Sequence, residues 1–142
     1  MGDDLPTVDL GTGMSALAIS TGTYALHTCA VLTDGQIKCW GYGASGQLGY
    51  GNTNNIGDEA GEMGDNLPTV DLGSGVSATA VFTRGDHTCA VLDTDQVKCW
   101  GATGYGRLGR GDSVSIGAGI GDGSNEIDRK STRLNSSHAN IS

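Results

Sequence analysis

HTCAVLTDGQIKCWG, at residues 27–41, returns as HTCAVLDTDQVKCWG at residues 87–101, so that His27 and His87 stand 60 positions apart. Near-identity over that length marks a repeat architecture, in which each unit is one supersecondary element that buries its apolar faces only against a neighbour. Outward from this box, GDDLPTVDLGTG at residues 2–13 recurs as GDNLPTVDLGSG at residues 64–75, an offset of 62. The unequal offsets place a length change between the boxes, where a surface loop absorbs it.

The box reads as a β-hairpin. A three-residue loop of Thr33, Asp34 and Gly35, with Gly35 supplying the left-handed residue, sets Leu32 against Gln36. That register puts Cys29 opposite Cys39 and gathers Val31 with Ile37 on the same face; Ala30, Leu32 and Trp40 share the other with Gln36 and Lys38. A two-residue Asp34-Gly35 turn would send the cysteines to opposite faces. In the second copy Asp95 takes the place of Gly35, which Asp tolerates at some cost. Two partly apolar faces suit a sheet stacked between neighbouring sheets.

Glycine accounts for 25 of the 142 residues and phenylalanine for 1, a composition that favours short strands and tight turns over long helices. Strands are expected at residues 17–19, 28–32, 36–40 and 69–72, then at 78–82, 88–92 and 96–100. About four short antiparallel strands per repeat is what a propeller blade needs. After each hairpin comes a glycine-rich loop, GYGASGQLGYG at residues 41–51 and GATGYGRLGRG at residues 101–111. Gly41, Gly43 and Gly46 satisfy a G-x-G-x-x-G pattern, but the segment follows an antiparallel hairpin and opens no long helix, so it reads as a tight excursion that plugs Leu48 or Leu108 into the core.

Together these boxes resemble the repeats of the regulator of chromosome condensation family. The resemblance rests on His27-Thr28, Trp40-Gly41 and Gly46-Gln47-Leu48-Gly49, then on His87-Thr88, Trp100-Gly101 and Gly106-Arg107-Leu108-Gly109, where Arg107 replaces the usual glutamine. It implies an all-β fold, an open section of a seven-bladed β-propeller with about two blades of four-stranded antiparallel sheet. It spans residues 1–127, with the second copy incomplete. Members of the family include a guanine nucleotide exchange factor for a small GTPase, ubiquitin-ligase domains, light receptors and secreted binding modules, so the fold alone does not choose among activities.

Met1 falls opposite Met63 when the copies are superposed, which suggests a reading frame opened inside a longer protein. At the other end, DRKSTRLNSSHANIS at residues 128–142 resembles a translated sequencing adapter and is set apart as an artefactual or disordered tail. The full chain carries a net charge of −8. Setting aside Arg129, Lys130 and Arg133 with Asp128 leaves 5 basic and 15 acidic residues, a net of −10. Such a surface is poorly suited to tracking phosphate backbones, so no direct nucleic-acid binding is expected, and no run of about 18 apolar residues is present to span a membrane.

The candidates for chemistry are few. Cys29 with Cys39 and Cys89 with Cys99 are cross-strand disulfide candidates, a pairing that favours an extracellular or lumenal location; four buried thiols in a nuclear or cytoplasmic protein stay open. Neither pair has the close spacing of a structural zinc site. His27 and His87 recur at equivalent positions, which suits a residue that holds each blade better than a general base needed once. In the acidic loop at residues 52–66, Asp58, Glu59, Glu62 and Asp65 fit no EF-hand register and form instead the candidate interaction loop toward a basic partner. The expectation is a non-catalytic module that binds a protein partner through propeller loops, with no cofactor or metal; part of a guanine nucleotide exchange factor is the alternative.

Overall fold

The computed structural model describes residues 2–109 and is all-β, with two three-stranded antiparallel sheets. The first sheet comprises β1 (Ala16–Ser20), β2 (His27–Leu32) and β3 (Ile37–Gly41), and the second β4 (Ala78–Arg84), β5 (His87–Leu92) and β6 (Val97–Gly101). Each runs in sequence order. Single 3-10 turns at Gly2–Asp4, Gly64–Asn66 and Gly104–Gly106 complete the regular structure among the described residues. The expected limit of the repeats at residue 127, the tail at 128–142, Met1 and the last two positions of the second glycine-rich loop lie outside the described residues.

Both hairpins adopt the three-residue loop. Gly35 N–H donates to the Leu32 carbonyl at 2.9 Å and Leu32 N–H to the Gln36 carbonyl at 2.8 Å, and Asp95 and Leu92 repeat these bonds with Leu92 and Gln96. Gly35 has φ +83° and Asp95 φ +65°, so the aspartate accepts the left-handed conformation that the glycine adopts freely. The resulting registers pair Cys29 with Cys39 and Val31 with Ile37, and Cys89 with Cys99 and Val91 with Val97. A register shift interrupts β1 between Ala16 and Ala18, and another β4 between Ala78 and Ala80, so even the irregularity is repeated.

The expected fourth strand at residues 69–72 is not a ladder partner, and this is the main departure from the four-stranded blade. Three unrelated groups satisfy the outer edge of β3 in its place. Val70 N–H donates to the Ile37 carbonyl at 2.8 Å, and the Tyr50 hydroxyl both accepts from Cys39 N–H at 2.8 Å and donates to the Cys39 carbonyl at 2.7 Å. Gly41 and Ile56 exchange a pair of backbone bonds at 2.7 and 3.1 Å. An unpaired sheet edge invites other strands, and here it is closed by a patchwork instead of a strand.

The core lies between the two sheets. The disulfide face of the first blade, with Cys29, Val31, Ile37 and Cys39, packs with Ala78, Val81, Ala90, Leu92 and Trp100 of the second, while Leu48, Val70, Leu72 and Leu108 fill the remaining space. Stacking is therefore head to tail: the disulfide face of one blade meets the tryptophan face of the next. Each blade also leaves one such face at least partly open, although Ala30, Leu32 and Lys38 on the tryptophan face of the first are buried. Ile19 on the first is 61% exposed while its counterpart Val81, inside the stack, is 5% exposed. Phe82 and Val97 on the disulfide face of the second blade are likewise exposed.

Candidate functional site

Most motif residues converge on the junction between the blades. The main-chain carbonyl of Gln47, in the buried loop after β3, accepts the indole Nε1–H of Trp100 at 3.0 Å and the Thr88 hydroxyl at 2.8 Å. Since the Thr88 hydroxyl hydrogen is committed to that carbonyl, the 2.7 Å contact with His27 Nε2 is a ring N–H donating to Thr88 Oγ1. His27 thus carries its proton on Nε2, and its buried Nδ1 has no partner. Burial lowers the His27 pKa from 6.5 to about 4, with Asp86 opposing and His87 reinforcing the shift. The imidazole is held neutral as a donor that joins the two blades.

Glycine at two of these positions is dictated by contact. A Cβ on Gly49 would lie 2.7 Å from Trp100 Nε1, and one on Gly101 2.5 Å from the Asp86 carbonyl oxygen. Both residues also have positive φ, at +83° and +107°, where side chains are strained. Gly46, Gln47, Leu48 and Gly49 are all buried beneath the second blade, whereas in the second copy Leu108 is buried and Gly106, Arg107 and Gly109 are exposed. His27, Thr88 and Trp100 lie within the junction; Thr28, Trp40 and Gly41 sit half-buried at the open end of the stack. His87, half-buried, is lowered from 6.5 by burial and then by the Arg107 charge.

Two disulfides are present, Cys29–Cys39 and Cys89–Cys99, with Cα–Cα distances of 4.1 and 4.0 Å. Each occupies a non-hydrogen-bonded pair of its hairpin, where side chains approach most closely. The first is sealed between the blades and the second is half-buried on the open face.

The four acidic candidates do not act as one cluster. A single Glu62 carboxylate oxygen accepts the N–H groups of Gly57, Asp58 and Glu59 at 2.6, 3.1 and 3.1 Å, which holds its pKa below the usual carboxylate value. Asp65 reaches back 53 positions to Thr12, accepting its N–H at 2.7 Å and its hydroxyl at 2.8 Å, and is lowered in turn. Asp58 and Glu59 are exposed on the loop that Glu62 shapes. No group of three or more His, Cys, Asp or Glu among the described residues is arranged to hold a metal ion. The loop also walls a shallow cleft beside Trp40, Tyr42 and Ile56.

Sequence reasoning missed the lysine of each hairpin and Tyr50. The buried Lys38 donates from Nζ to the carbonyls of Leu10 at 2.7 Å and Gly64 at 3.0 Å, and Lys98 donates to the Leu72 carbonyl at 2.7 Å. Each lysine ties its own hairpin to the preceding PTVDLG segment. Its recurrence at the same place in both boxes was the available signal. Tyr50, the edge-closing residue of the first copy, carries no such signal because Arg110 stands at the corresponding position.

Short antiparallel sheets stacked face to tail, locked by a repeated set of polar residues at the junction, define a β-propeller repeat protein. The chain is similar to the regulator of chromosome condensation family: the sequence profile of the "Regulator of chromosome condensation (RCC1) repeat" matches residues 18–47. Human E3 ubiquitin-protein ligase HERC2 is 33% identical over 87 residues, 61% of this chain and 2% of that protein. The crystal structure of human WBSCR16 is similar with a TM-score of 0.57 and 25% identity, over 73% of this chain and 24% of that one. Prp20p from Saccharomyces cerevisiae shares the fold with a TM-score of 0.54 and 17% identity, over 74% of this chain and 24% of that one. The chain thus spans a small part of the length of the relatives it matches.

Proposed function

We propose that the chain serves as a non-catalytic repeat module that binds a protein partner through loops at the blade ends. The observation that carries this reading is the division of labour among polar residues. The repeated His, Thr, Trp and Gln positions form the blade junction, while Glu62 braces an acidic loop and leaves Asp58 and Glu59 facing solvent. A pre-shaped acidic loop on a chain of net charge −8 suits a basic protein surface and pays little ordering entropy on binding. Prp20p, which shares the fold, is described as binding Gsp1p and histones, so basic histone peptides are a suitable probe.

Fluorescence anisotropy with a labelled basic histone-tail peptide tests the reading. Saturable binding by the wild-type chain, weakened by Asp58→Asn with Glu59→Gln and by added salt, is the expected result. Binding that ignores both substitutions, or no binding, removes support for the loop. The alternative, a part in guanine nucleotide exchange on a small GTPase, rests on the family resemblance and predicts faster release of fluorescent GDP from such a GTPase.

A further inference from the structure

Inside the blade junction the Gln47 side chain is fully buried, and its Nε2–H points to Asp86 Oδ1 at 3.4 Å. Arg107 holds the matching position in the second glycine-rich loop, and Leu26 holds the position of Asp86 in the first blade. The two latter sites are equivalent in backbone as well as sequence. The Leu26 carbonyl accepts Tyr42 N–H at 2.9 Å, and the Asp86 carbonyl accepts Ala102 N–H at 2.9 Å. By this correspondence Arg107 stands at the rim of the uncovered disulfide face of the second blade, where Phe82 is 59% and Val97 53% exposed.

We infer that this uncovered face docks a blade of the same repeat type carrying an acidic residue immediately before its His-Thr pair, and that Arg107 selects it. The occupied junction supplies the template for the apolar contacts and for the register. What differs is the charge at one point. Gln47 offers Asp86 a neutral amide, whereas Arg107 offers a planar guanidinium whose paired N–H groups match a carboxylate in two parallel bonds. Arg107 Nε already donates to the Gly104 carbonyl at 2.9 Å, so closing a blade over the guanidinium with an apolar residue opposite would desolvate its remaining N–H groups without an acceptor, and an incorrect neighbour is penalised while an acidic one is favoured. A second copy of this chain would present Leu26 there, and its stacking is disfavoured accordingly.

The chain itself can be turned into the probe. Leu26 is 69% exposed, so Leu26→Asp leaves the fold intact, which circular dichroism verifies, and it places the missing acid on the tryptophan face of a second copy. Sedimentation velocity is expected to show the Leu26→Asp chain associating head to tail about tenfold more tightly than the wild type, with the gain lost in high salt and in the Leu26→Asp, Arg107→Ala double variant. Association of Leu26→Asp no tighter than wild type, including the absence of association in both, overturns the inference. So does an equal gain in the double variant, which would mean that the acid acts without Arg107. Wild-type chain that stacks as tightly as Leu26→Asp would show that the face accepts a second copy without selecting for charge.

Discussion

The indole Nε1–H of Trp100 donates to the main-chain carbonyl of Gln47 at 3.0 Å, across 53 positions of sequence and from one blade to the other. Trp40 fills the same place in the first blade and is half-buried at the open end of the stack. The two tryptophans are therefore alike in sequence and unlike in energy. Trp100→Ala is expected to cost on the order of 3 to 5 kcal/mol, and Trp40→Ala distinctly less. Trp100→Phe, which removes the hydrogen bond while keeping most of the apolar body, should cost about 1 kcal/mol. Urea unfolding of the three variants checks the order; equal losses for the two alanine variants would contradict the stacking direction.

Acid should loosen the junction. The folded state holds His27 neutral with its pKa lowered to about 4, and His87 is lowered in the same direction, so folding excludes protons that the unfolded chain would bind. The stability they contribute is present above pH 6.5 and is lost as the pH falls from 6.5 toward 4, with a slope for His27 of at most about 1.4 kcal/mol per pH unit. Urea midpoints measured from pH 7.5 to 4 should show the decline, and His27→Gln should flatten it. A profile unchanged by that substitution would assign the acid sensitivity elsewhere.

The disulfides should differ in accessibility. Cys29 and Cys39 are fully buried between the blades, whereas Cys89 and Cys99 are half-buried on the uncovered face. Under native conditions a mild reductant is expected to open Cys89–Cys99 first, as read by alkylation and mass spectrometry. Each bridge closes a loop with a sequence separation of 10, and its loss should cost about 3 kcal/mol.

Glu62 should govern the order of the acidic loop and little else. Glu62→Ala removes the acceptor shared by the amides of Gly57, Asp58 and Glu59, and hydrogen exchange at those three amides should accelerate by about tenfold or more. The urea midpoint should move little, because the loop lies outside the apolar stack. Unchanged exchange would mean that the turn is set by its glycines.

The hairpin was legible in the sequence because its information is local. Gly35 and Asp95 fix the loop, the loop fixes the register, and alternation along β2 and β3 then sets which side chains share a face. The facing cysteines follow from the same register. The fourth strand was misread for a related reason: alternation in the segment at residues 69–72 signals that Val70 and Leu72 turn inward, which they do, but alternation says nothing about whether a neighbouring edge is free to pair. Tyr50 and Ile56 already occupied it.

The sequence by itself determined the unit and the identity of its recurring polar residues; the tertiary structure alone decided which copy uses them. GDDLPTVDLG and GDNLPTVDLG are nearly the same words, yet Val8 is 53% exposed and Val70 5%. His27 finds a threonine across the junction, and the Gln47 loop is buried while the Arg107 loop is not. The reason is physical: a strand's dihedral angles and pleat depend on residues close in the chain, but burial and the partners of a hydrogen-bonding group depend on what is stacked against it. In a head-to-tail repeat that neighbour is another copy, identical in pattern and different in position.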